Sequence, residues 1–372
     1  MPVDRLKELI AIPSYAGNEA KLQEFIGDSL ARDGLTPQAV EGNVVARLKG
    51  RDSSRAFIFN SHMDVVDVGD PTRWKYDPWK ATVVGNRIFG RGACDMKAGM
   101  AGSLELAAEL AKTELPTDIY FTYVVQEETD GLGARQLGSW FKNQGLLDQY
   151  KDRAAVFTEP TSLVEVSYGH RGNYFLKAET KGDSAHSSRP DLISRHAILE
   201  MHGFVGDVIA ENTSWPQAHP PAEGFVPPSI TPTAMEAKSG SVNKTADACE
   251  VAFDLRTTPG FHSEAYDRIV ELGASRGIDV SKICAESPVG YTDPKSKIVQ
   301  AALRSIPGSY PKVFEAAADL GFLNEVGIDG IILGPGSMAQ AHQINEYVEI
   351  DQVRRAPAVF KAVYYSWAAD TR

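Results

Sequence analysis

At 372 residues the chain exceeds the roughly 250–300 residues at which a single hydrophobic core stops growing, so two domains are expected. Its 43% hydrophobic and 23% charged residues are those of an ordinary globular protein, and a net charge of −11, from 38 basic against 49 acidic residues, leaves no basic stripe for a nucleic acid. The amino terminus lacks a signal peptide's basic start and apolar core, and no stretch approaches the roughly 18 uncharged apolar residues of a membrane span. Cys94, Cys249 and Cys284 are too few and too scattered for a disulfide framework, so a reducing cytoplasm is the expected setting.

In chain order, Asn18 to Gly34 reads as an amphipathic helix with Leu22, Phe25, Ile26 and Leu30 on one face. Asn18 suits its cap, and Gly34 the left-handed residue after its end. Asn43–Leu48 and Ala56–Asn60 read as strands. The Gly-rich segment Arg87–Asp95 leads into a helix from Met96 to Glu114, with Met96, Met100, Leu104, Ala107 and Ala111 as its buried stripe. Ile119–Val125 and Ala154–Phe157 are further strands. Up to residue 170, strands alternate with helices, the pattern of a mainly parallel sheet flanked by helices.

After Gly169 the pattern changes. Asn173–Gly182 alternates like a half-exposed strand, followed by a helix over Ser194–Glu211. Strands near Ile230–Ala237 and Cys249–Thr257, a helix over Ser263–Arg276 and a strand over Ile278–Glu286 complete a β-α-β-β-α-β unit. The Pro-rich run Trp215–Pro228 has neither period and reads as a long surface loop. A helix near Lys295, a strand at Ile331–Leu333 and a helix over Asp351–Ala368 resume the earlier alternation. The expected organisation is a discontinuous α/β domain, residues 1–170 and 287–372, with an inserted α+β, ferredoxin-like domain over 171–286.

The chemistry gathers where the strands end. His62 and Asp64 follow Ala56–Asn60, Glu127 and Glu128 follow Ile119–Val125, Glu159 follows Ala154–Phe157, and His342 follows Ile331–Leu333 through a Gly-Pro-Gly turn. Asp95 lies in the Gly-rich loop just before a helix. A lone His or Asp past a strand is ordinarily a loop residue, and Glu127-Glu128 alone could be a solvated pair at a helix start. Recurrence on successive strands points instead to one crevice beyond their carboxyl ends. Two imidazoles and several carboxylates, with no Cys required, form a ligand set for zinc or a similar divalent ion. Residues two apart share a face of an extended chain, so Asp64 can orient the His62 imidazole. Cys94 reads as a small packed residue. Gly131–Gly138 lacks the Lys-Ser/Thr of a phosphate loop.

Five stretches, Ser61–Val66, Gly90–Gly99, Glu127–Arg135, Glu159–Leu163 and Gln340–Tyr347, together with Gly182–Pro190, Val242-Asn243 and Asp254–Arg256, carry a resemblance. Over nearly its whole length the chain resembles the metal-dependent amidohydrolase family that includes acetylornithine deacetylase, succinyl-diaminopimelate desuccinylase, aminoacylase and glutamate carboxypeptidase. The Glu159–Leu163 and Gly334–Gln343 stretches look most like the acetylornithine deacetylase branch. The resemblance implies a zinc-exopeptidase-like catalytic domain with an inserted lid and dimerisation domain. It implies two zinc ions, with cobalt or manganese able to share such ligands. Asp95 would bridge them, His62 and Glu159 completing one site and Glu128 and His342 the other. Glu127 would be the general base, with Asp64 behind His62. His186, from the inserted domain of a second subunit in a homodimer, would stabilise an oxyanion, and Asn243 and Arg256 would hold a substrate carboxylate. The implied reaction is hydrolysis of an N-acyl-L-amino acid to the free amino acid and a carboxylate, with desuccinylase-like or dipeptidase-like hydrolysis as the alternatives. Gln126, Ala98 and the stretch Phe314–Phe322 depart from the family's pattern. The last lies where relatives carry a substrate-facing loop, so acyl group and side-chain preference stay open.

Overall fold

The computed structural model describes residues 1–370. Contacts divide the chain into two compact units, one of residues 1–170 and 290–372 and one of residues 171–289. The first part of unit one contains α1 (Pro2–Ile10), α2 (Ala20–Arg32), β1 (Pro37–Val40), β2 (Asn43–Leu48), β3 (Asp52–His62), β4 (Thr82–Val84), β5 (Arg87–Phe89), α3 (Lys97–Leu110), β6 (Thr117–Val124), α4 (Leu132–Asn143), α5 (Leu146–Gln149), β7 (Asp152–Phe157) and β8 (Glu165–His170). Unit two holds β9 (Gly172–Lys181), α6 (Ala197–Ala218), β10 (Ser229–Glu236), β11 (Ala248–Thr257), α7 (His262–Ala274) and β12 (Asp279–Lys282). The chain then returns to unit one through β13 (Gly290–Tyr291), α8 (Lys297–Ser305), β14 (Tyr310–Phe314), α9 (Leu320–Asn324), β15 (Asp329–Ile332), β16 (Tyr347–Glu349) and α10 (Ile350–Ala369).

Unit one is an α/β fold around a mixed sheet in the order β1-β2-β6-β3-β7-β15-β8-β13, with β14 beside β8. The central strands β6, β3, β7 and β15 run parallel; the pairs β1–β2, β2–β6, β15–β8 and β8–β13 are antiparallel, and β14 lies parallel to β8. Central parallel strands are covered on both faces and so carry continuous apolar runs. β6 is buried at every position. The antiparallel flank starts with a hairpin between β1 and β2, where Glu41 (φ 49°) and Gly42 (φ 91°) make the two-residue turn that suits twisted strands. Register keeps the carboxyl ends of the parallel strands level: His62 lies opposite Val124, Asn60 opposite Phe157, and Phe157 opposite Ile332. Four chain exits therefore open on one edge.

α3 packs closely enough on this edge to demand a glycine. A Cβ on Gly99 would lie 2.1 Å from the Thr158 carbonyl oxygen, just past β7. Aromatic packing of Phe57 and Phe59 against Tyr364, Trp367 and Phe360 seats α10 on the sheet.

Unit two is a four-stranded antiparallel sheet, order β10-β11-β9-β12, with α6 and α7 over the core formed by Leu176, Met201, Phe204, Val251, Phe253 and Ile269. Its order of elements is the split β-α-β-β-α-β of a ferredoxin-like unit. Two expectations need correction here. The start of the supposed loop Trp215–Pro228 is helical: α6 runs on to Ala218 with Pro216 inside it. Trp215 is fully buried in the unit's core and packs edge-on to Phe261 at 5.0 Å, and this anchor outweighs the one donor that Pro216 lacks. The strand expected over Ile278–Glu286 is confined to Asp279–Lys282, the residues that pair with β9.

Candidate metal centre and its relatives

The strand ends bring five side chains into two clusters that share Asp95. His62, Asp95 and Glu159 form one, and Asp95, Glu128 and His342 the other, with one candidate ligand atom per residue and all such atoms of a cluster within 4.8 Å of one another. His62 Nε2 lies 3.1 Å from Asp95 Oδ1 and 3.6 Å from Glu159 Oε1. His342 Nε2 lies 3.3 Å from Asp95 Oδ2 and 3.0 Å from Glu128 Oε2. The two Asp95 oxygens thus face different imidazoles, as a bridging carboxylate requires. Asp95 also immediately precedes the amino-terminal end of α3, where the helix dipole favours an anion.

His62 is the last residue of β3 and is buried. Its Nδ1 donates to the Asp64 carbonyl oxygen at 2.9 Å. A carbonyl can only accept, so the proton sits on Nδ1 and Nε2 is the atom turned to the cluster. The Asp64 carboxylate stands 3.6 Å from the same Nδ1, and its main partners are elsewhere. It accepts from the Glu127 amide at 3.0 Å and the Glu128 amide at 2.9 Å. Asp64 therefore touches His62 chiefly through its backbone, while its side chain fixes the segment that carries both glutamates.

The electrostatics reflect crowded carboxylates. Burial works against ionisation of Asp95, yet hydrogen bonds with His342 and His62 hold its carboxyl well below the usual range. Glu127 and Glu159 are pushed well above it by burial and by neighbouring carboxylates. His342 is raised to about 10 by hydrogen bonds to Asp95 and Glu128. His62 is raised too, the charge of Glu159 and bonds to Asp64 and Asp95 overcoming burial. Oxygen and imidazole donors with an excess of buried negative charge fit divalent cations: His62, Asp95 and Glu159 would hold one ion and Asp95, Glu128 and His342 a second.

His186, Asn243 and Arg256 lie in unit two. His186 Nδ1 meets Ser188 Oγ at 2.8 Å, and Asn243 Nδ2 lies 3.3 Å from His186 Nε2, so these two residues form one exposed cluster. Arg256 on β11 makes a bidentate pair with Asp254, at 2.7 and 2.9 Å. Cys94 is buried, its thiol donating to the Ser337 carbonyl at 3.3 Å, and burial raises its pKa well above the ordinary value. Gly336 at φ 99° leaves room for that sulfur, since a Cβ there would lie 2.6 Å from it.

Two acidic residues beside the centre escaped the sequence reading. Asp319 is buried, accepts from Asn60 Nδ2 at 3.1 Å, and is raised to about 7 by burial. Glu346 is buried beneath the Asp95 loop. Glu346 falls within the Gln340–Tyr347 stretch, but no role can be read for it from sequence, because burial of a loop carboxylate has no local pattern.

Among the described residues no helix is long and apolar enough to cross a membrane. An acetylornithine deacetylase of Vibrio atlanticus is 28% identical over 354 residues, covering 91% of this chain and 89% of that protein. A probable succinyl-diaminopimelate desuccinylase of Staphylococcus epidermidis is 24% identical over 401 aligned positions, covering 97% of this chain and 96% of that protein. Among solved structures, an aminopeptidase PepT from Bacillus cereus has a TM-score of 0.77 at 17% identity, covering 99% of this chain and 98% of that one. An M20 family metallo-carboxypeptidase from Sulfolobus solfataricus gives 0.77 at 16% identity, with 99% of both chains covered. These two structures share the fold. Residues 58–366 match the model of peptidase family M20/M25/M40, and the chain belongs to that family of metallohydrolases.

Proposed function

We propose that the protein is a two-metal hydrolase that cleaves the amide of an N-acyl-L-amino acid, in the manner of an acetylornithine deacetylase. The observation that carries this reading is the pair of ligand clusters joined through Asp95, with Glu127 held beside Glu128 by Asp64. A protein that only stores metal has no use for an unliganded carboxylate at that position.

When bound, the ions would supply Lewis-acid polarisation of the amide carbonyl and a lowered pKa for water. Glu127 takes the proton of the attacking water and delivers it to the leaving nitrogen. A proton transfer of this kind contributes about 10²–10⁴-fold. Asp64 sets the Glu127 and Glu128 backbone from behind. We assign the oxyanion donor to His186, a role worth about 10²–10³-fold, and the substrate carboxylate to Asn243 and Arg256. A guanidinium fork matches a carboxylate bidentately, and in the free protein that fork is occupied by Asp254. The second unit is assigned to homodimer formation, and the setting to the cytoplasm.

The deacetylase and desuccinylase relatives have similar identity, 28% and 24%, so acyl preference is the finer question. Amine release from N-acetyl-L-ornithine, N-succinyl amino acids and dipeptides, assayed side by side, tests it. Highest kcat/KM on the acetylated substrate supports the reading. A dipeptide preference overturns the deacetylase assignment and leaves the hydrolase.

A further inference from the structure

The centre draws its ligands from separate loops, and one buried carboxylate connects two of them. Glu346 is 1% exposed and lies four residues beyond His342. Its Oε1 accepts from the Cys94 amide at 2.7 Å and from the Asp95 amide at 3.1 Å. Its Oε2 accepts from the Gly92 amide at 3.0 Å and from an Arg91 guanidinium nitrogen at 2.7 Å. Its own carbonyl accepts from the Gly90 amide at 3.0 Å, and the next residue, Tyr347, pairs with Phe89 across β16 and β5. The same Arg91 fork reaches the Asp67 carbonyl at 3.0 Å. An ionised carboxylate offers about four acceptor sites and no donor. Here all four meet donors, three of them backbone amides of the segment that presents Asp95.

We propose that Glu346 is a positioning residue: it sets the His342 loop in register with the Asp95 loop and so fixes the spacing of the Asp95–Glu128–His342 cluster. The inference rests on the two-metal reading. It also predicts an asymmetry between the two ions. Two of the three ligands in that cluster sit on the loops that Glu346 joins. In the other cluster only the shared Asp95 is held by Glu346; His62, at the end of β3, and Glu159, just past β7, lie on segments that Glu346 does not touch. Loss of Glu346 should therefore weaken one ion far more than the other. A merely structural carboxylate has no reason to distinguish them.

The variants follow from the donor count. In Glu346→Gln the amide keeps one oxygen and turns an NH2 toward donors, so either flip leaves two of the four partners facing a donor. Glu346→Asp keeps four acceptor sites on a shorter arm. Chelator-stripped full-length wild type, E346Q and E346D are titrated with cobalt(II), following visible absorption per equivalent, with metal-free thermal unfolding recorded for each. The expected result is two ions in wild type, with the weaker-bound ion of E346Q losing about 10–100-fold in affinity, as is usual when a group that orients metal ligands is removed. E346D is expected to recover part of this loss and to carry the test if E346Q does not fold. The inference is overturned if folded E346Q, or E346D in its place, binds both ions like wild type, or weakens both equally. Failure of wild type to take up two ions would overturn the two-metal reading and this inference with it, an outcome visible in the wild-type titration alone.

Discussion

Asp64→Asn tests whether the glutamate segment is held as the geometry indicates. Asp64 is fully buried and spends its two oxygens on two backbone amides, Glu127 at 3.0 Å and Glu128 at 2.9 Å. Asparagine is nearly isosteric, but it can serve only one of those amides and turns its own NH2 toward the other. A hydrogen bond to a charged partner is worth about 1.5–3 kcal/mol and a neutral one about 0.5–1.5 kcal/mol, so losing one and weakening the other costs the segment roughly 2–4 kcal/mol. At about 1.4 kcal/mol per tenfold, that corresponds to a decrease of roughly 30- to 700-fold in correctly placed Glu127 and Glu128. Asp64 is fully buried and acts on the segment through its two amides, so the loss is expected in kcat and in metal affinity, with KM little changed. The assay is steady-state amide hydrolysis at saturating metal, paired with metal titration. D64N with wild-type kcat and metal affinity would refute the reasoning.

Three further predictions follow from other parts of the molecule. Glu127→Gln should lower kcat by about 10²–10⁴-fold while metal stoichiometry stays at the wild-type value, and unchanged turnover would remove Glu127 from the base role. If His186 acts from a second subunit, His186→Ala should lose about 10²–10³-fold in kcat, and mixing it with the impaired E127Q should restore part of the activity through mixed dimers; a fully active monomer in sedimentation would contradict this. His262 supplies the pH prediction: half-buried against Tyr174 and bonded to Thr257 at 2.6 Å, it has its pKa lowered, mainly by desolvation. Above about pH 6.5 it is neutral in both states; as pH falls, the unfolded chain takes the proton first, so stability drops through the window between that value and the lower folded pKa. Denaturant midpoints of wild type should fall over that window more steeply than those of His262→Gln, and parallel curves would refute the role.

Much of the centre was legible because parallel strands impose order on sequence. Each apolar run has to end on the same edge as its parallel neighbours, and that alone groups His62, Glu128, Glu159 and His342 in the sequence. Register then placed His62 opposite Val124 and Phe157 opposite Ile332. What stayed hidden depends on long-range burial. Nothing local marks Glu346 as the acceptor of three amides some 250 residues earlier. The Asp64 carboxylate does stand 3.6 Å from His62 Nδ1, as the shared face of an extended chain implies, but alternation gives no sign of the Glu127 and Glu128 amides beyond β6 that it accepts from. The Pro-rich run from Trp215 shows neither period, and only the burial of Trp215 carries α6 on through Pro216. The antiparallel flank beginning at β1 is missed because Pro37–Val40 is too short and polar to read as a strand; once it is recognised, the two-residue turn to β2 forces the pair antiparallel.

The most direct test of the central claim pairs turnover with metal content in one sample. Protein stripped by chelator is assayed for amine release from N-acyl-L-amino acids, zinc or cobalt is returned in steps, and bound metal is counted at each step. The predicted result is no hydrolysis in the stripped protein and activity that rises as two ions per chain are taken up. Full hydrolysis without metal, or no metal uptake at all, would contradict it.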